Sequence, residues 1–298
     1  DGDLASTAGS GVNSAEQPWA FEIAPEPIAD DQITATEEAD VVVVGGGMAG
    51  MVTAASCAEN GLKVILISAS QAPVSRGGSN NGVYSKVMEQ MGLPRMDPTW
   101  FYRMQYAANG GNFRPELWYK FYNHSEEAIN WIIDIAANAG IKTTIESGPE
   151  YKEGDPMFTP TAAHAFYVDD EELHGKVGTG EPYIAAEMGR YIAEDLGVDV
   201  RWNVKAEQLV RGGTPNGTSG RVDAVLATAD GSTYTKYVGT KAVVMATGDF
   251  SHDRDMMEKY CPQAVELCDF ESEVNYDQGI WMGGLMPGDG HKMELWVG

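Results

Sequence analysis

Val41 to Val44 is an unbroken run of apolar, β-branched residues, the pattern of a strand buried on both faces in a parallel sheet. Met48 to Asn60 follows with helical character, Gly61 stops it, and Lys63 to Ser68 returns as a second strand. Gln71 to Ser85 is too rich in turn formers for a regular element and predicts a long loop. From Pro98 to Ala139 the pattern is helical. Pro115 suits a helix start, and Ala128, Ile129, Ile132, Ile133 and Ala136 recur on one face that Trp131 and Ile135 widen. Residues 147–180 lose periodicity and predict an irregular excursion. A helix over Glu181 to Leu196 ends at Gly197. Strands are expected at Val198 to Asn203, Val222 to Ala229 and Thr233 to Tyr237, with a further buried strand at Lys241 to Ala246. Gly279 to Gly298 reads as a Gly-rich loop and the start of a helix. The alternation of strands and helices predicts an α/β fold, Rossmann-like, with a central parallel sheet and an additional small antiparallel sheet.

Composition narrows this picture. An apolar fraction of 43% and 35 glycines over 298 residues fit a globular α/β protein of one large domain or two small ones. The formal charge of −24, from 44 acidic against 20 basic residues, repels polyanions and argues against nucleic acid as a partner. Three cysteines, Cys57, Cys261 and Cys268, do not make a disulfide framework, and Cys57 falls on the apolar first helix. No run reaches the roughly 18–20 apolar residues of a membrane-spanning helix. Residues 1–38, rich in Gly, Ser, Ala, Pro and acids, are expected to be a disordered tether. That tether is either a spacer left by a removed export signal, which places the protein in a bacterial cell envelope, or the ordinary N-terminus of a cytoplasmic enzyme.

The strongest chemical signal is Gly45, Gly47 and Gly50, spaced G-x-G-x-x-G between a strand and a helix. The first glycine permits the tight turn, the second admits a pyrophosphate, and the third lets helix and strand pack, while the helix N-terminus attracts the phosphates. The pattern does not choose between NAD and FAD. Ser68 stands where a ribose-binding carboxylate is usual, and no arginine beside it welcomes a 2′-phosphate. The stretch Arg76-Gly77-Gly78-Ser79-Asn80-Asn81-Gly82 adds turns whose N–H groups can approach a large ligand. His124, His164, His174, His252 and His291 lack metal-ligand spacing and are expected at the surface or in packing; no metal site is expected. The aromatic group Trp100, Phe101, Tyr102, Trp118, Tyr119, Phe121 and Tyr122 suits inter-helix packing, with a pocket for a planar substrate as the alternative. The acids Asp169, Asp170, Glu171 and Glu172 suit a solvated loop.

Four stretches in this order, VVVVGGGMAG, SRGGSNNG, KAVVMATGDFSHDRDMMEKYCP and GDGHKM, resemble the FAD-binding domain of the fumarate reductase and flavocytochrome c family, which includes urocanate reductase and 3-ketosteroid dehydrogenases. The resemblance covers about residues 38–298. It implies non-covalent FAD, with Gly45, Gly47, Met48, Ala49 and Gly50 at the pyrophosphate and Ser68 in place of the ribose glutamate. It implies that Gly77, Gly78, Ser79 and Asn80 form the loop after the second strand, with Asn81 and Gly82 near the isoalloxazine. Ala206 then contacts adenine through its backbone, Ala246, Thr247 and Gly248 form the turn beside the dinucleotide, and Asp289 contacts the flavin. In the family a capping domain with a proton-donating arginine follows the Gly288-Asp289-Gly290 motif. The chain therefore resembles the N-terminal part of a larger flavoprotein, with a domain over residues 39–298 and the catalytic acid outside it.

The function expected is reduction of an electron-poor C=C bond of a small unsaturated substrate by hydride transfer from reduced FAD, in the setting of anaerobic respiration. The alternatives are a non-catalytic or truncated FAD-binding module, a steroid-type flavin dehydrogenase, and a nicotinamide-dependent dehydrogenase. No C-x-x-C-H haem motif is present, so electrons are expected from a haem domain outside this chain or from a separate donor, such as a c-type cytochrome or a quinol-linked membrane protein.

Overall fold

The computed structural model describes residues 18–75, 80–108, 110–111, 113–145, 163–168, 180–274 and 286–298. The first βαβ unit is β1 (Ile33–Val44), α1 (Met48–Glu59) and β2 (Val64–Ile67). The chain then leaves the sheet through β3 (Asn80–Asn81), α2 (Lys86–Gln90), α3 (Pro98–Ala108), α4 (Pro115–Asn138), β4 (Lys142–Ile145), β5 (Ala163–Tyr167) and α5 (Glu181–Arg190). A π-helical turn, Tyr191–Asp195, ends that excursion. The chain returns as β6 (Asp199–Arg201), β7 (Lys205–Arg211), β8 (Thr214–Pro215), β9 (Val222–Thr228) and β10 (Tyr234–Met245), then α6 (Arg254–Tyr260) and α7 (Asp289–Val297).

Seven strands form one sheet in the order β6-β2-β1-β10-β9-β7-β8. Pairing is parallel from β6 to β10 and antiparallel from β10 to β8. A separate antiparallel sheet has the order β3-β5-β4. The α/β class, the parallel strands and the small antiparallel sheet are as expected. The strands at Val222 and Thr233, however, belong to the main sheet, and the small sheet is built from the excursion. β5 runs through a segment expected to be irregular: Ala163, Ala165 and Phe166 are buried there, and Phe166 packs in the core shared with α1, α4 and α5.

The run Val41–Val44 is buried on both faces, at 0–3% exposure, as its composition requires. Val41 and Val43 face one core with α1, α4 and α5, and Val42 and Val44 face another with β7, β9 and α7. Each such side chain contributes roughly 1.5–3 kcal/mol of burial.

Three further expectations change. The strands at Thr233 to Tyr237 and Lys241 to Ala246 are one strand, β10, with a bulge between Gly239 and Ala242 opposite Ala39 and Val41. β7 was not expected, because KAEQLVR carries charge at its outward positions while Ala206, Leu209 and Val210 point in. Residues 18–38 are not a tether. Residues 33–38 extend β1 alongside β10, and Phe21 is buried at 5%. Gln208 fastens this segment from β7, accepting from Ile28 N at 2.9 Å and donating to Glu26 O at 2.8 Å. Glu22 pairs with Lys259, and Trp296 Nε1 donates to Phe21 O at 2.9 Å. These partners lie far along the chain, so local composition does not reveal them. Residues 1–17 lie outside the described residues.

At the bulge, Asp40 accepts from Lys63 N at 2.9 Å and pairs with Lys241 Nζ at 3.1 Å. The Lys63 N–H, then the Lys241 ammonium, hold its carboxyl below the usual carboxylate range. Among the described residues no helix is long and apolar enough to cross a membrane.

Candidate functional site

A cavity of about 610 Å³ opens at the carboxyl ends of β1 and β10, the place where open α/β sheets bind ligands. Its floor is the turn from β1 into α1. Gly45 takes φ +121°, and a Cβ there would stand 2.2 Å from Ala246 O. A Cβ on Gly50 would stand 1.9 Å from Gly45 O, so Gly50 lies beneath the turn and lets α1 press on it. Gly46 is held at both ends, donating to Ser68 Oγ at 3.0 Å and accepting from Val74 N at 3.1 Å.

Gly47 differs from its neighbours. It is the N-cap of α1, no side chain caps it, and a Cβ built on it would meet nothing within 4 Å. The first-turn amides of α1, which lack intrahelical acceptors, therefore stand at an open face. This is the arrangement an anionic phosphate needs, with donors on fixed backbone and room for close approach.

Around this floor the structure brings together Gly45, Gly47, Met48, Ala49, Ser68, Asn80, Ala206, Ala246, Thr247, Gly248 and Asp289 from the expected set. Ala206 arrives because the β6–β7 turn is fastened to the end of β2, with Asn203 N donating to Ser70 O at 2.9 Å and Val204 N to Ser68 O at 2.8 Å. Thr247 sits against Gly290, where a Cβ would stand 1.9 Å from Thr247 Oγ1. Asp289 opens α7 and pairs with Lys205 Nζ at 3.4 Å. His291 Nε2 donates to Gly248 O at 3.2 Å.

Not all the expected residues reach the cavity. Asn81 pairs with Ala163 in the small sheet, and Gly82 packs against Ile129, where a Cβ would be 2.6 Å from Cγ2. Gly77, Gly78 and Ser79 lie outside the described residues, as do His174 and the acids 169–172. Ser68 is 6% exposed, and its hydroxyl is engaged by Gly46 N, Ser70 N at 3.3 Å and Ser70 Oγ at 2.7 Å. It clamps the glycine turn.

Sequence reasoning missed Glu181, Ser70, Lys205 and His291, all of which line the cavity. Lys205 adjoins Ala206, and His291 stands within GDGHKM, so neighbourhood to a motif was the available signal. Glu181 had none. The residue is 3% exposed, and its carboxylate accepts from Asn80 Nδ2 at 2.8 Å. Of the histidines, His164 is fully buried and hydrogen-bonded, while His124 is exposed. Among the described residues no group of three His, Cys, Asp or Glu side chains could hold a metal ion. Described aromatic residues of α3 and α4 pack on one another, with Trp118 against Tyr102 at 5.4 Å and against Tyr122 at 5.1 Å, while the side chain of Phe101 lies outside those described.

The family described as FAD binding domain matches residues 40–298. Vinyl phenol reductase of Lactiplantibacillus plantarum is 23% identical over 225 residues, which are 74% of this chain and 40% of that protein. The 3-ketosteroid-delta4-(5alpha)-dehydrogenase of Rhodococcus jostii RHA1 superposes with a TM-score of 0.69 at 20% identity, over 91% of this chain and 56% of the other. The open form of a flavocytochrome c3 fumarate reductase superposes with a TM-score of 0.62 at 19% identity, over 95% of this chain and 45% of the other. At these identities the superpositions establish the shared fold. The chain spans about half the length of the proteins it matches.

Proposed function

We propose, from the premise that the chain belongs to the FAD binding domain family, that it is the cofactor-holding part of an oxidoreductase acting on the carbon–carbon bond of a small unsaturated molecule. The observation that carries this is the uncapped N-terminus of α1 behind Gly47, whose absent side chain leaves the space a pyrophosphate would take. Bound there, FAD supplies the hydride chemistry. The chain supplies the binding: the amides of Gly47, Met48 and Ala49 hold the diphosphate, and the backbone of Ala206 borders the adenine end. Ala246, Thr247 and Gly248 close the side across from β2, with Asp289 at the mouth. Met245, Met286 and Met293 give the wall an apolar character that keeps water from the bound ring system.

Reduction of an electron-poor C=C bond is the reaction we favour. The activities that name the similar proteins, on vinyl phenol, ketosteroids and fumarate, all concern such bonds or their saturated counterparts. A separate electron carrier and a cell-envelope location are part of the proposal. The cell-envelope location is supported by the composition of residues 1–17. The test is to purify the protein with its full coding frame, record its visible spectrum, reduce it without oxygen and add fumarate, a vinyl phenol or an enone steroid. Flavin bands that bleach on reduction and return with one of these acceptors are expected. A protein that takes up no flavin, or reduced flavin that none of them reoxidises, overturns the reading.

A further inference from the structure

We infer that Glu181 is a cofactor-contacting residue, whose carboxylate accepts a hydrogen bond from an O–H or N–H of the flavin half of FAD. The inference rests on the FAD reading above. Three acidic side chains line the cavity among the described residues: Glu181, Asp289 and Glu294. Glu294 is exposed and Asp289 is paired with Lys205, whereas Glu181 is 3% exposed. A buried carboxylate is costly unless donors surround it. Asn80 Nδ2 gives one at 2.8 Å, and the first turn of α5, where Glu181 stands, favours its negative charge.

The carboxylate is held in place by a chain of side chains. His164 Nδ1 lies 3.1 Å from Asn80 O, and because a carbonyl only accepts, Nδ1 carries the proton. His164 Nε2 then accepts from Ser85 Oγ at 2.7 Å, and Ser85 Oγ accepts from Met88 N at 3.1 Å. A fully buried histidine thus anchors the Asn80 backbone, and the Asn80 amide anchors Glu181. Such a supported polar group on a pocket wall is what precise ligand contact requires.

Its position selects the half of the cofactor. Gly189 of α5 abuts Pro73, where a Cβ would stand 2.3 Å from Cγ. From there back to Glu181 is about 12 Å of helix. Ser68 and Ser70 lie before Pro73 and accept from Val204 N and Asn203 N, which brings the start of β7 with Ala206 to the end of β2, and the chain passes the bridge between Gly47 and Val74 before it reaches Asn80. With the diphosphate at Gly47 and the adenosine at Ala206, Glu181 faces the other half. A carboxylate repels phosphate, so its partner there is a donor, a ribityl hydroxyl or the flavin ring N–H. Ser68 is engaged in clamping Gly46, so the pocket's buried carboxylate comes from α5 instead of the end of β2.

The experiment compares FAD with ADP, which carries the adenosine and diphosphate without the flavin, by equilibrium binding to the wild type and E181Q. Loss of a hydrogen bond to a charged group should weaken FAD about tenfold to a hundredfold and leave ADP unchanged. Equal weakening of both ligands, or no change in FAD affinity, overturns the inference. A wild type that binds ADP but not FAD sinks the FAD reading itself. If E181Q does not fold, N80A serves in its place. It removes the donor that aims the carboxylate, so FAD should weaken while ADP does not, and an unaltered FAD affinity overturns the inference equally.

Discussion

The Gly45–Ala49 wall of the cavity is backbone contributed by adjacent residues, whereas the Asn80–Glu181 wall is two side chains 101 residues apart that meet at 2.8 Å. On the first wall, function depends on missing atoms. Gly45, Gly50 and Gly290 each stand where a methyl group would strike an oxygen within 2.2 Å, and Gly47 stands where it would strike nothing. On the second wall, function depends on a charge brought in and aimed by distant elements. The first is held in shape by sterics and by hydrogen bonds to its backbone; the second can be retuned by one side chain without moving the backbone.

The largest expected effect tests the backbone wall. Gly50→Ala places a Cβ 1.9 Å from Gly45 O, and displacing that carbonyl should destabilise the protein by roughly 1–3 kcal/mol and abolish FAD uptake. Urea unfolding and the flavin spectrum read both; a variant that is stable and yellow would show that the turn yields. Gly47→Ala separates shape from stability. Its Cβ meets open space, so the melting temperature should stay level while FAD binding weakens at least about tenfold, and unchanged affinity would move the diphosphate off this turn. Glu181→Gln comes next, as described above. Ser68→Ala should cost about 1 kcal/mol of stability, because Gly46 N–H loses its buried acceptor, and should move FAD affinity little. A large affinity loss with full stability would make Ser68 a ribose contact and redraw the boundary between the walls.

The smallest effect lies away from the cavity. The Asp40 carboxyl is held below its ordinary value by Lys63 N–H and Lys241. A depressed folded-state value means that its stabilisation is complete above the ordinary carboxylate range and is lost as pH falls through the depressed value. The stability difference between the wild type and D40N, measured by urea unfolding, should therefore close as pH falls below about 4. A difference that persists in acid would show that Asp40 acts by packing.

The same contrast explains what was legible in the sequence. Val41–Val44, the three glycines of the turn, α1, α4 and the end at Asp289 were readable because burial, φ preference and helical period act within a few residues. β5 was not, since AHAFY becomes a strand only by pairing with β4 and with Asn80–Asn81. Nor was the continuity of β10. Gly239 and the bulge read locally as a break, and only the long partner β1 carries the strand across. The clamping of Gly46 by Ser68 was not legible for a related reason. Its place at the end of β2 was plain, but the inward turn of its hydroxyl is set by Gly46 and Ser70 together.

The pairing of β1 with β10 also sets an order of events during synthesis. The two central strands lie roughly 200 residues apart along the chain. At about 5–20 residues per second, β10 leaves the ribosome some 10–40 s after β1. Until then Val41–Val44 has only β2 beside it and one open edge of four adjacent valines. The nascent chain is thus most prone to aggregate in that interval, and a holdase that binds apolar strands would act there, before the sheet closes.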